Sequence, residues 1–459
     1  MISRSEVGRG WHAQLGLVTA PVSVLSGNDS LAFEKTKVRN ALCQTVGIFI
    51  WLGFANHLHA QQVLAPPPPA FAPQTNLIAT LSGTNQTEGA TPEATPSGGT
   101  TSHRLWDMGP VHLHPHMFYS VSYGNGIQSQ PGNQSKTVVN TISPGMAADI
   151  GTHWHLDYTP TLRFYSSHEF KDEADHSVIL NWGTTSAEWA LGASQSYASS
   201  STPLIETASQ TDTETYSTVL SAAYQLNSKV SLSFVANQSF QYVNSVSTNQ
   251  PLSDSKAWST TEGFNYQIFP RLSAGATLGF TYDALKVGSD MTSEQLQGQL
   301  NWHVGNKLSF SFHGGFEDRQ FLDSSSPDAL NPIFGLSLVY NLFEFTTIAF
   351  SAERTVTASY FQNQITEAFG FSGSIHQRLL QRLYLDINGG FTTTSFQATT
   401  TGLSVNREDH LSTITVRLSC PFLQHGNASV FYNWSDNSSN QDGFGYTSNQ
   451  VDLELSYRF

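Results

Sequence analysis

The chain has 459 residues, a formal net charge of −14, 39% hydrophobic residues and only 12% charged residues. An ordinary soluble domain carries about 25% charged residues, so a conventionally charged surface is excluded. The acidic balance also excludes a nucleic-acid partner, which needs a basic patch to neutralise phosphates. Mean hydropathy is −0.24, too low for a bundle of long apolar helices. Ser, Thr, Asn, Gln and Gly fill the gap, as suits a β-rich protein with one apolar face and one wet, uncharged face.

In chain order, Lys35, Lys37 and Arg39 precede the apolar run ALCQTVGIFIWLGFA (41–55), and Leu58-His59-Ala60 follows. A basic start, a short apolar run and a small residue describe a secretory signal peptide, with cleavage predicted after Ala60. The run is shorter than the ~20 residues a spanning helix needs. Cys43 opens the apolar run instead of following it, which argues against a lipid anchor. Residues 1–34 are an N-terminal extension, compatible with a long basic region or an upstream start. After processing only Cys420 remains, so neither an intramolecular disulfide nor a zinc-type Cys pair is expected. Residues 61–110 contain Pro66 to Pro69 and a Thr/Gly/Pro/Ser tract through Gly99. Such a segment buries too little apolar surface to fold and reads as a disordered periplasmic leader.

His112, His114 and His116 share one face if this stretch is extended, and imidazoles at that spacing can bind a transition metal. Pro115 and the lack of a neighbouring carboxylate in the sequence favour a polar strand entry instead. No metal site is predicted.

From residue 111 to the end the chain alternates apolar and polar residues with period two, as half-buried strands do. Leu308, Phe310 and Phe312 alternate with Ser309, Ser311 and His313; Val451, Leu453, Leu455, Tyr457 and Phe459 alternate with Asp452, Glu454, Ser456 and Arg458. The runs match the ~9–11 tilted residues that cross a bilayer as β-structure. Tight connections fall near 151–152, 185–186, 227–228, 269–270, 305–306, 343, 380–381 and 422–426. Longer ones fall near 125–137, 168–176, 199–213, 243–257, 284–291, 319–331, 356–364, 397–407 and 437–448. Short and long connections alternate, which predicts about 18 strands (16–20) and both chain ends on the short-turn side. The predicted fold is all-β, a transmembrane antiparallel up-and-down barrel over 111–459. A β-sheet satisfies every backbone group inside hydrocarbon only when it is closed.

The same parity sorts the charges. Asp157, Arg163, Asp283, Glu317, Arg319, Glu353, Asp386, Arg417, Asp452, Glu454 and Arg458 are predicted to line the interior, where charged rings set ion preference. Aromatics such as Trp154, Trp189, Trp258, Trp302 and Trp434 gather at strand ends, as girdles at headgroup level do. Alternating Leu455, Tyr457 and the terminal Phe459 look like the C-terminal signal that outer-membrane barrels present to the barrel-assembly machinery. That machinery and outer-membrane lipid are therefore the expected partners. No Gly-x-Ser-x-Gly, His-Glu-x-x-His or phosphate-binding loop occurs, so neither enzyme chemistry nor a cofactor is predicted.

The segments PRLSAGATLGFTYD, NKLSFSFHGGFEDRQF, NPIFGLSLVYNLFEFTTIAFSAERTV, QRLLQRLYLDINGGFTTTSF and the closing NASVFYNWSDNSSNQDGFGYTSNQVDLELSYRF carry a resemblance. Over residues 210–459, and more weakly over 111–209, the chain resembles the β-barrel porins of bacterial outer membranes. Some members of that group occur beside exopolysaccharide-export genes. The resemblance implies a cell outer-membrane location and passive diffusion of small polar or ionic solutes. The alternative it implies is a barrel assisting exopolysaccharide export or surface structure, with a polysaccharide as partner. An adhesive surface built from the loops is a weaker third reading. The family has no catalytic set to carry over.

Overall fold

The computed structural model describes residues 107–245, 252–322, 328–380, 382–400, 405–423 and 425–459. The predicted signal peptide, its predicted cleavage site and nearly all of the expected leader lie outside these residues.

A two-residue strand, β1 (Asp107–Met108), folds back on the start of β2 (Val111–Gln130), so the end of the segment read as leader already joins the sheet. The next strands are β3 (Asn133–Ile150), β4 (Trp154–Tyr165), β5 (Glu173–Thr185), β6 (Trp189–Leu204) and β7 (Ser209–Asn227). Then come β8 (Val230–Ser245), β9 (Ser255–Phe269), β10 (Leu272–Leu285), β11 (Met291–Val304), β12 (Leu308–Phe321) and β13 (Ala329–Phe343). The chain ends with β14 (Thr346–Ala358), β15 (Gln364–Leu379), β16 (Leu383–Ala398), β17 (Glu408–Phe422), β18 (Gly426–Ser439) and β19 (Tyr446–Arg458).

From β2 onward each strand pairs antiparallel with its successor. The last strand, β19, pairs with β2 through Val451↔Tyr123, Leu453↔Val121 and Leu455↔Tyr119. That pairing closes an 18-stranded barrel with no free edge, and among the described residues there is no helix. Closure gives every ladder group a partner, the condition a sheet must meet in an apolar medium.

Alternation decides which way each side chain points. Leu278, Leu296, Phe316, Val451 and Leu453 are exposed on the outside, whereas Ser273, Ser293, Glu317 and Asp452, of opposite parity on the same strands, are buried. This inverts a soluble sheet, in which apolar residues turn inward. The turns between β3 and β4, β7 and β8, and β11 and β12 are two or three residues long. Gly305 takes φ +68° in one of them, a left-handed conformation that glycine adopts without steric cost.

Several strands outrun the predicted bounds at the opposite end. The stretch 125–137 shrinks to a two-residue turn, because β2 continues to Gln130 and β3 starts at Asn133. The stretch 199–213 is not a loop either. It is the paired distal half of a hairpin, with Thr202↔Thr211 and Leu204↔Ser209 in register. Thr202, Thr211 and Thr213 suit a strand, and the stretch holds no Gly or Asn, so the ladder continues through Pro203 and Asp212 although strands disfavour both types.

Candidate functional site

The inward face carries charge in linked groups, not as isolated residues. On β4 and β5, Arg163 meets Glu173 at 3.3 Å and also pairs with Asp175. On β12, Nε of Arg319 donates to Glu317 at 2.7 Å, Nη2 donates to the Val356 carbonyl at 3.0 Å, and Gln295 completes the carboxylate at 2.9 Å. Across β17 and β19, Arg417 meets Glu454 at 3.3 Å and lies over the inward Phe431 ring, while Ser429 donates to the same carboxylate at 2.9 Å. The arginines thus hold their acids against the wall, and the planar guanidinium suits this bridging. His376 and Asp386 pair at 2.5 Å.

All the charged residues expected on the interior fall on the inward parity of their strands. Asp157, Glu317, Arg319, Asp452 and Glu454 are buried, and Asp283, Glu353, Asp386, Arg163 and Arg417 are half-buried. Arg458 is exposed at the short-turn end. The structure adds Glu173 and Asp175, which lie where the sequence pattern placed a loop. Acids outnumber arginines on this face, so its field is negative.

Near the short-turn end His114 and His116 of β2 point inward with carboxylates beside them, which linear spacing could not reveal, whereas His112 is exposed. His114 Nε2 lies 3.1 Å and His155 Nδ1 2.6 Å from Asp149. His116 lies 3.0 Å from Thr159, whose hydroxyl donates to Asp157 at 2.9 Å. The His116 ring covers Gly145 on the neighbouring strand, where a Cβ would sit 2.0 Å from Nε2. Among the described residues no set of three or more His, Cys, Asp or Glu side chains is arranged to hold a metal ion.

The dominant feature of the interior is the β6–β7 hairpin. Residues 203–211 are all buried. The hairpin leaves the wall, passes the inner face of β2, and shares a small cavity with Ser122, Arg163, Tyr165 and Gln450. Its base is pinned by Gln210, which accepts from Lys171 N and donates to Lys171 O, both at 3.0 Å, and also bonds Glu173. Asp175 accepts from Ser201 N at 3.0 Å.

The tip reaches the opposite wall. Glu206 accepts from Ser359 Oγ at 2.5 Å and from Tyr360 N at 2.7 Å, both in the β14–β15 connection. Arg407, just before β17, donates to the Glu206 carbonyl at 2.7 Å. Strands β8 to β14 lie between β7 and β15 in the wall, so this contact spans the bore. Arg407 is itself held by Asp409 at 2.5–3.1 Å and lies between the rings of Phe396 and Phe444, 4.2 and 3.8 Å from their centroids.

Other long connections close over the tip. Ser253 N donates to Tyr360 O at 2.9 Å, Gln241 donates to the Tyr360 hydroxyl at 3.1 Å, and Phe361 meets Phe444 edge-on. Burial pushes the Glu206 carboxyl above its ordinary value of 4.5, against the opposing pull of Ser359, Tyr360 and Arg407. Burial likewise raises the Tyr360 hydroxyl to about 12. Neither Glu206 nor Arg407 was singled out from the sequence. The one signal available was the absence of Gly and Asn in 199–213.

No family model matches the sequence, and no curated relative matches it. Among solved structures, the outer membrane protein OpdK from Pseudomonas aeruginosa is 11% identical, with 76% of this chain and 98% of that chain covered at a TM-score of 0.43. OccAB1 of Acinetobacter baumannii is 10% identical, with 76% and 96% covered at 0.43. A bacterial polysaccharide outer membrane secretin is 9% identical, with 75% and 98% covered at 0.34.

Proposed function

We propose that this chain is a bacterial outer-membrane pore through which small polar or ionic solutes diffuse down their gradients, with the β6–β7 hairpin setting the constriction. The carrying observation is the two-faced closed sheet with that hairpin drawn across its polar interior. An exposed apolar belt on a barrel without edges suits hydrocarbon, and the Ser-, Thr-, Asn- and Gln-rich inner face suits water. The excess of inward carboxylates over arginines favours cations or neutral solutes, because low-dielectric walls focus the field of lining charges.

Export of a surface polysaccharide is the competing reading. A polymer needs a continuous bore, and a hairpin bonded to the opposite wall obstructs one. The diffusion reading therefore has the better support. Planar-bilayer recording of the refolded mature chain tests it. Steady ohmic steps with a cation-directed reversal potential in a salt gradient are expected. A silent barrel that binds acidic or neutral glycan would replace this reading with export.

A further inference from the structure

We infer that the closing seam of the barrel, between β19 and β2, holds a calcium ion on the carboxylate of Asp452 and the hydroxyl of Ser120. The site belongs to the wall itself and stands whether or not solute crosses the bore.

Closure sets five oxygen-bearing side chains of inward parity together. Gln450, Asp452 and Glu454 lie on β19, and Ser120 and Ser122 lie on β2, with Asp452↔Ser122 and Glu454↔Ser120 in register. All five are buried, and Asp452 and Ser120 are each only 1% exposed. Phe431 of β18, equally buried, pairs with Asp452 from its other side. Ser122 and Gln450 also line the small cavity beside Thr202 and Pro203 of the β6–β7 hairpin.

Glu454 is satisfied: it accepts from Ser429 at 2.9 Å and meets Arg417 at 3.3 Å. Asp452 is not. Neither of its oxygens has a hydrogen-bond partner among the described residues, and the same holds for Oγ of Ser120. Arg163, which lines the adjoining cavity, is engaged by Glu173 and Asp175. Two seam carboxylates thus share one arginine, and a negative charge is left over. Buried charges are paired or coordinate a metal. A water molecule would bond the orphaned oxygens but brings no charge. A proton would cancel the charge but bridges nothing, because Asp452 and Ser120 stand beyond hydrogen-bond reach of each other.

A cation does both. Asp452 and Ser120 are diagonal cross-strand neighbours, whose backbones lie roughly 7–8 Å apart and whose side chains come closer. Two oxygens on one calcium ion lie up to about 5 Å apart. All five side chains offer oxygen, with neither His nor Cys among them, and such a set selects a hard cation. Calcium accepts an irregular oxygen set and a bidentate carboxylate, whereas magnesium keeps several waters. The adjoining cavity, about 20 Å³, has room for little more than one water.

The test uses the mature chain refolded in lipid-free detergent and stripped with a chelator. Calcium chloride titrated into it in a calorimeter is expected to bind as a single ion per chain and to raise the unfolding temperature. Asp452→Asn should weaken binding roughly tenfold or more, because ligand charge sets calcium affinity, and Ser120→Ala should weaken it less. Glu353→Gln, which removes an inward carboxylate elsewhere in the wall, should leave calcium binding unchanged. Magnesium and sodium chlorides at matched ionic strength should not substitute. In bilayers bathed in calcium-free potassium chloride, added calcium should reduce the cation preference of the parent barrel and not that of Asp452→Asn. No calcium uptake by the stripped parent, unchanged uptake in Asp452→Asn, or equal uptake of magnesium would overturn the inference. If Asp452→Asn does not refold, unchanged uptake in Ser120→Ala overturns it instead. A barrel that binds calcium yet stays silent in bilayers keeps this site and loses the pore reading.

Discussion

The guanidinium of Arg407 donates to the main-chain carbonyl of Glu206 at 2.7 Å across the bore of the barrel. Both residues are buried, and Arg407 is preset for the contact by Asp409 on one side and two phenylalanine rings on its faces. The far wall thus offers a rigid receptor, and the hairpin brings the group that fits it. Most of the mechanical behaviour expected of this protein follows from that latch.

Removing the latch should open the channel. A hydrogen bond to a charged group contributes about 1.5–3 kcal/mol, so Arg407→Ala should move the docked-to-released ratio of the hairpin by roughly ten- to a hundredfold. Single-channel recording should show a larger or more frequently open state. Arg407→Lys should open it nearly as much, because an ammonium cannot bond Asp409 through two nitrogens and stack on two rings at once. Unchanged conductance in both variants would mean that the hairpin does not limit flow.

The latch should weaken as pH rises. Burial holds the Glu206 carboxyl above its ordinary value of 4.5 in the docked state, so docking takes up a proton relative to the released hairpin. Stability from that proton is fully present below the ordinary value and is lost as pH climbs through the raised one. The Tyr360 hydroxyl, pushed up to about 12, keeps its proton through this window. Conductance recorded from pH 4 upward should increase, and Glu206→Gln should flatten the profile while leaving the channel mostly closed.

The ion pair of Glu317 and Arg319 should behave as a buried unit. Glu317→Leu strands a guanidinium in the wall and should destabilise the barrel by about 3–5 kcal/mol, whereas adding Arg319→Met should recover most of the loss. Denaturant unfolding in detergent micelles, read as a double-mutant cycle, checks this.

Side-chain parity should show directly in substitution costs. Leu296 is exposed on the outside, and its neighbour Gln297 faces inward. Leu296→Arg should cost about 2–4 kcal/mol if it lies near the bilayer midplane, and Gln297→Arg should cost far less. Spin labels at Phe310 and Leu453 should report lipid, and labels at Ser309 should report water.

Ion preference should follow the inward carboxylates. Asp452→Asn together with Glu353→Gln removes negative charge from the bore and leaves the Arg319–Glu317 and Arg417–Glu454 pairs intact. The reversal potential in a salt gradient should move toward zero, and an unchanged value would assign selectivity to the hairpin instead.

Much of the scaffold was legible in the residue order because strand parity is a local property. Leu453 and Asp452 point opposite ways whatever the rest of the chain does, so alternation alone predicts two faces, and the alternation of short and long connections predicts the strand number. The inward set from Asp157 to Arg458 follows from the same rule. It could not reach Glu173 and Asp175, because polar residues past the apolar belt carry no contrast between faces and read as loop. Asp149 beside His114 and His155 was hidden for a related reason: cross-strand neighbours are set by register, and register is not written in linear spacing.

The sequence by itself determined the all-β pattern, the alternation of short and long connections, and which charges share a face, since each depends on neighbours a few residues apart. Only the tertiary structure decided that the hairpin around Glu206 turns inward and that Ser359, Tyr360 and Arg407 receive it. Those partners lie 153 to 201 residues away along the chain. They meet only because closure of the barrel sets β6–β7 opposite β14–β17, a relation that no local pattern encodes.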